Sequence, residues 1–145
     1  MATLLDTNIL LKMTQPQFPF ATIAERAISS LRRTGESLHI ATQNLFEFWA
    51  VATRPSTENG LGLTVEEASL EIARLKILFP LLPELPLLHE WERIVVLHKV
   101  SGKNSHDARL VAAMTVNGIA NILTFNVQDF ARYKDIFVLD PRTVF

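Results

Sequence analysis

Residues 3–11 read Thr3-Leu4-Leu5-Asp6-Thr7-Asn8-Ile9-Leu10-Leu11. A short apolar run meets an acid and two small polar residues, and then apolar sequence resumes. Runs of this length without polar alternation mark strands that are buried on both faces. Three more follow along the chain: Leu38-His39-Ile40-Ala41, Asn121-Ile122-Leu123-Thr124 and Ile136-Phe137-Val138-Leu139. Between them the apolar spacing predicts helices over 23–33, 44–53, 65–78, 88–100 and 107–117. The third carries its own start signal, Thr64 with Glu67 three residues later, the pair of a capping box. Its end is set by Pro80, which disfavours helix in the residue before it. Strands separated by helices imply right-handed crossovers, a mainly parallel central sheet and helices on both of its faces. The expected fold is therefore a three-layer α/β/α sandwich, one domain over 1–145.

Two stretches fall outside this alternation. Residues 54–63 (RPSTENGLGL) lack periodicity and contain the turn pair Asn59-Gly60, which suits an exposed connection better than a flap over a site. Pro80, Pro83 and Pro86 are interleaved with leucines, which favours a buried, irregular, strand-like segment over a polyproline ligand.

Composition narrows the function classes. A chain of 145 residues, 48% hydrophobic and 20% charged, is long and apolar enough for one ordinary core and excludes a disordered protein. The absence of cysteine removes disulfides, thiolate metal sites and a Cys nucleophile, and fits a reducing compartment. With 14 Lys+Arg against 15 Asp+Glu, the net charge of -1 argues against nucleic-acid binding through a general basic coat. No stretch approaches the roughly 18 apolar residues of a membrane span, and no basic segment introduces a leader, so the cytoplasm is the default location, with no membrane partner.

Most acids sit in plainly solvated contexts, and four do not. Asp6 falls at the carboxyl end of the first strand, the edge where open α/β sheets bind ligands, although Asp6 or Asn8 also suits a helix N-cap. From Ser37 through Thr53 Glu47 is the only charged residue, among Leu45, Phe46, Phe48, Trp49, Val51 and Ala52, which predicts a buried carboxylate. Such a group needs either an ion-pair partner, for instance Arg26 or Arg54, or a ligand. Asp107 lies in the first turn of its helix, where the helix dipole also favours an acid. Asn126 and Asp129 follow the third strand, at a spacing that equally fits a cap and its third helical residue.

Strand ends and the starts of the following helices share one rim of such a sheet, so these groups can converge without being close in sequence. Two like charges about 5 Å apart repel by roughly 3 kcal/mol at an effective dielectric near 20, and a divalent cation is the natural compensation. All-oxygen ligands without Cys or paired His suit Mg²⁺ or Mn²⁺.

Asp6, Glu47, Asp107 and the Asn126/Asp129 turn, together with LLDTNILL, SHDARLVAA and ILTFNVQDF, give a sequence that resembles the PIN domain over essentially the whole chain. More narrowly it resembles the VapC toxins of toxin-antitoxin pairs. The resemblance implies a Mg²⁺- or Mn²⁺-dependent endoribonuclease that hydrolyses RNA phosphodiester bonds by in-line attack of water. It further implies inhibition by a VapB-like antitoxin and assembly as a homodimer. Asp6, Glu47 and Asp107 match the family's three most regular acidic positions. At the fourth, this chain carries the amide Asn126 first and the acid Asp129 second, which leaves either as the remaining metal ligand. Thr7, Asn8 and Thr124 match small polar positions that support the acidic pocket in that family.

Lys103, Arg109 and Arg54 are the candidate phosphate contacts; the bland reading of each is solvated surface charge. His106 adjoins Asp107, but neighbouring helix residues point apart, so a surface or packing role is expected. The spacing of Phe46, Phe48 and Trp49 suits a core or dimer face better than base stacking. Two other classes compete: a PIN-like scaffold working through protein contacts, and a phosphatase with an aspartate nucleophile. The latter wants a second Asp two residues after the first, where Asn8 stands. If four carboxylates are committed to metal, eleven acids remain against 14 Lys+Arg, and a local grip on RNA near the metal becomes compatible with the charge.

Overall fold

A computed structural model describes residues 1–15 and 19–145. The first apolar run forms β1 (Ala2–Leu5), which pairs with β2 (Ser37–His39) on one side and β3 (Asn121–Leu123) on the other; β3 in turn pairs with β4 (Phe137–Leu139). All pairings are parallel and the strand order is β2-β1-β3-β4. Leu4 lies opposite His39 and Ile122. The chain leaves β1 in one direction for β2 and later crosses back to β3, so the order reverses between β1 and β3. Open α/β sheets hold their ligand crevice at such a switch point, outside the carboxyl ends of the strands.

Adjacent strand residues serve opposite layers. Leu5 and Leu123 pack with Ile9, Ala24, Phe48 and Leu75, whereas Leu4 and Ile122 pack with Ile94, Leu110, Met114 and Phe130. The first layer is built by α1 (Thr7–Thr14), α2 (Pro19–Arg33), α3 (Thr42–Ala52) and α4 (Val65–Leu78). The second is built by α5 (Leu88–Leu97), α6 (Asn104–Val116) and the short α7 (Val127–Phe130). The expected α/β/α sandwich is the fold observed.

The α4 capping box is present, with Thr64 Oγ1 accepting from Glu67 N at 3.0 Å and Glu67 Oε1 from Thr64 N at 2.9 Å. The helix stops at Leu78, ahead of Pro80. Pro80 to Leu82 then runs strand-like beside the end of β2, as expected: Ile40 N donates to Pro80 O (3.2 Å), and Leu82 N to Ile40 O (2.8 Å). The expected burial fails, because only Leu82 turns into the core while Pro80, Leu81, Pro83, Leu85 and Pro86 are exposed. Residues 54–63 fold back on the end of α3, where Leu61 N and Leu63 N donate to Val51 O and Ala52 O. Gly60 permits this, because a Cβ there would meet Arg54 O at 1.9 Å. The stretch is the exposed connection expected, anchored by the partly buried Leu61 and Leu63.

Several boundaries differ from the sequence reading. Helix α1, absent from it, starts directly out of β1, with Asp6 as its N-cap accepting from Thr7 N. Eight residues with no intervening turn are too few to display a helical period against the apolar background. Helices α2, α3 and α6 begin earlier than expected, at Pro19, Thr42 and Asn104. The first agrees with the preference for proline at a helix start.

Candidate functional site

The carboxyl ends of β1 and β3 are tied together before any side chain is counted, since Asp6 N donates to Leu123 O at 3.0 Å. The buried Asp6 carboxylate accepts three hydrogen bonds: from Thr7 N (2.8 Å) on Oδ1, and from Thr124 Oγ1 (2.8 Å) and Asn8 Nδ2 (3.3 Å) on Oδ2. Thr124 is a hub; its hydroxyl donates to Asp6 and accepts from Asn8 Nδ2 (3.1 Å) and Asn126 N (3.0 Å), its full capacity. Asn8 completes the clamp by accepting from Phe125 N at 3.1 Å.

Glu47 joins from α3. Its Oε1 accepts from Thr7 Oγ1 (2.7 Å), which itself accepts from Asn44 Nδ2 (3.1 Å), and its Oε2 accepts from Gln43 Nε2 (3.3 Å). Among the described residues neither Arg26 nor Arg54 forms an ion pair with it. The expected deep burial gives way to half-burial: Phe46, 61% exposed, and Ala50 leave one side of α3 in solvent, while Phe48 enters the core. Trp49 packs against that core.

Asp107 comes from the first turn of α6 and is half-buried. Its carboxylate accepts no hydrogen bond within the described residues. Burial raises its pKa from 3.8 to about 7, helped by the charges of Asp6, Asp129 and Glu47 and opposed by Arg132. Burial also raises Asp6, to about 6; its hydrogen bonds from Thr124 and Thr7 oppose the rise, and Glu47 and Asp129 add to it. The exposed Asp129 on α7 thus stands near enough to act on both, whereas Asn126 meets the cluster through its backbone N–H on Thr124.

The structure therefore brings Asp6, Glu47, Asp107 and Asp129 into one electrostatic neighbourhood, with Thr7, Asn8 and Thr124 bonded among them. Among the described residues, no three His, Asp or Glu side chains already enclose one point as a ligand shell. Mg²⁺ binds through one or two carboxylates and keeps several waters, so it does not require such a shell. An all-oxygen, mutually repelling donor set matches that ion's chemistry.

Of the basic candidates, Lys103 and Arg109 are exposed at the start of α6 and on its surface. Arg54 follows the far end of α3, about 10 Å along the axis from Glu47 at 1.5 Å per residue. His106 is exposed, and its backbone carbonyl accepts from Gln43 Nε2 at 2.8 Å. Sequence reasoning missed Gln43, Asn44 and Arg132. For the first two, the polar run Thr42-Gln43-Asn44 ahead of an apolar helix was the available signal.

A family model described as the PIN domain matches residues 3–136. No curated protein matches the chain. Among solved structures, VapBC2 from Rickettsia felis, bound to a DNA fragment from its promoter, is similar at TM-score 0.69 and 12% identity. The alignment covers 95% of this chain and 97% of that one. VapBC-1 from nontypeable Haemophilus influenzae (TM-score 0.66, 17% identity) covers 97% of this chain and 98% of its own. FitAcB from Neisseria gonorrhoeae (TM-score 0.66, 18% identity) covers 97% and 99%. At these identities the likeness is one of fold.

Proposed function

The chain belongs to the PIN domain family, and from that premise we propose that it is a Mg²⁺- or Mn²⁺-dependent endoribonuclease, the toxin of a VapBC-type pair. The observation that carries the reading is the convergence of Asp6 and Asp107, two carboxylates from separate elements, at the sheet's switch point: the charge of Asp6 raises Asp107, and Glu47 and Asp129 raise both. Asp6, Asp107, Glu47 and Asp129 would hold the cation; Asp129 is favoured over Asn126 as the fourth ligand because its charge, and not the amide, acts on both aspartates.

When bound, the ion would lower the pKa of water and stabilise the charge that develops on a phosphodiester under in-line attack. The chain's own contribution is positioning. Thr124 and Asn8 fix Asp6, and Thr7, held by Asn44, fixes Glu47. Lys103, Arg109 and Arg132 supply positive charge around the acidic pocket for RNA phosphates, a local grip rather than a coat. A VapB-like antitoxin as inhibitor is supported by the names of the similar structures, VapBC2 and VapBC-1, and a homodimer as the assembly by the family resemblance alone. No helix among the described residues is long and apolar enough to cross a membrane.

The deciding experiment incubates the purified protein with pooled cellular RNA and Mg²⁺ or Mn²⁺, beside Asp6→Asn and Glu47→Gln. Metal-dependent cleavage lost in both variants is expected; equal activity in all three sinks the assignment.

A further inference from the structure

We propose that a cleft beside the acidic cluster, between the 82–87 segment and α6, receives a nucleobase bearing an exocyclic amine, from the nucleotide next to the cleaved phosphate; this rests on the nuclease reading above. The cleft encloses about 180 Å³, below the roughly 300–1,000 Å³ of pockets that take drug-sized ligands, and so is of a size for one ring system. Leu82, Leu87 and Ala113 supply apolar lining, and Gln43, Glu84 and Arg109 supply polar groups.

Gln43 gives the cleft its chemistry. The residue is 8% exposed, and its Nε2 is committed to His106 O (2.8 Å) and Glu47 Oε2 (3.3 Å). Both partners are acceptors, which fixes the end of the amide that faces them. The carbonyl Oε1 is left buried without a partner. A buried acceptor without a donor is unfavourable, and natural structures rarely keep one unless water, an ion or a ligand completes it. The amide's terminal torsion is broad, so a small tilt presents Oε1 to a donor while Nε2 keeps its two acceptors.

Glu84 adds a second acceptor at the exposed side of the cleft. Arg109, which forms no ion pair among the described residues, offers a cation for the adjoining phosphate. An exocyclic amine, as in adenine, guanine or cytosine, brings two N–H donors to the two acceptors; uracil has a carbonyl in that place and only its ring N3–H to give. The bond from Gln43 to Glu47 sets this occupant directly beside the acidic cluster.

The test is an NMR titration of the metal-free full chain with AMP, CMP, UMP and ribose 5-phosphate, following the Gln43 side-chain amide. AMP and CMP are expected to shift that amide and to bind about fivefold more tightly than UMP, the value of one hydrogen bond. Ribose 5-phosphate should leave the amide unmoved. Ala113→Leu, which fills the cleft, should abolish the AMP response. Gln43→Met should erase the preference for AMP over UMP, and both variants are read beside their thermal midpoints. Equal binding of AMP and UMP to the native chain, or undiminished AMP binding by a folded Ala113→Leu, overturns the proposal. RNA cleavage on the same samples separates the two readings. Cleavage without any Gln43 response to AMP removes the base site and leaves the nuclease; the response without cleavage removes the nuclease and leaves a base site.

Discussion

Asp6 and Asp107 reach the same acidic cluster from different supports, one from the end of the central strand and the other from the first turn of α6. Asp6 is buried and accepts three hydrogen bonds, two of them from Asn8 and Thr124, which are bonded to each other. Asp107 is half-buried, accepts none among the described residues and has Arg132 as the opposing charge. Both pKa values rise, the less supported one further. The contrast teaches that one half of the site is held by hydrogen bonds while the other is left without them, its charge disfavoured first by burial and then by its acidic neighbours.

The largest effect should come from breaking either half. Asp6→Asn and Asp107→Asn each remove a carboxylate from the proposed cation, and metal stabilisation of a phosphodiester transition state is worth several kcal/mol. Single-turnover cleavage of RNA should therefore fall about 10³-fold in both. A loss confined to Asp6→Asn would show that α6 plays no part in the chemistry.

The next effect is on pH dependence. The Asp6 carboxyl titrates near 3.8 when unfolded and near 6 in the fold, so between these values the folded state binds more protons and stability falls as pH rises. Burying the ionised Asp6 costs the fold about 3 kcal/mol by pH 8. Asp107 carries the decline on through about 7, with a smaller energy than its shift suggests because it is half in water. Denaturant titrations of metal-free protein should show greater stability at pH 5 than at pH 8. Saturating Mg²⁺ should flatten this slope by stabilising the protein at the upper end, with a gain of about 2.7 kcal/mol at a hundred times Kd. A slope of opposite sign would mean the carboxylates are not desolvated.

Thr124→Val sharpens the comparison by loosening only the supported half. The substitution takes a donor from Asp6 and an acceptor from Asn8 and Asn126. Partners of metal ligands are typically worth 10–100-fold in metal affinity, so Mg²⁺ binding followed by calorimetry should weaken by about that factor. Unchanged affinity would make the hydrogen-bonded frame irrelevant to the ion.

The two halves were also unequally legible. Asp6 and Thr124 could be placed because strand runs end at them and parallel crossovers bring strand ends together. Glu47 stood out by being the single charge in an apolar stretch, but its half-burial depends on Phe46 and Ala50 facing solvent, which composition alone does not show. Asn44 was missed: at the third position of α3 it accepts from Ala41 N (2.8 Å), and its second bond, to Thr7, spans 37 residues and exists only through the fold. Arg132 lay beyond reach for a similar reason, since its relation to Asp107 is set by how α7 packs on α6. Local signals fixed the strands and the α4 cap; long-range side-chain bonds were readable only once the sheet order was known.

The smallest expected effect separates the halves most cleanly, because its sign depends on hydrogen bonding alone. In metal-free buffer at pH 8, Asp107→Asn relieves repulsion and loses no hydrogen bond, so stability should rise by about 1 kcal/mol, a few degrees in thermal midpoint. Asp6→Asn also removes a buried charge worth about 3 kcal/mol, but its new amide N–H₂ must replace one of the two oxygens that accept from Thr7, Thr124 and Asn8. Each donor so orphaned costs about 1–3 kcal/mol, which cancels the relief and leaves stability near that of the native chain. At pH 5 the gain of Asp107→Asn should disappear, because the native carboxyl is already protonated there. Equal stabilisation by the two substitutions would show that the bonds around Asp6 carry no preference for a carboxylate, and the distinction between a hydrogen-bonded and an unsupported half would fail.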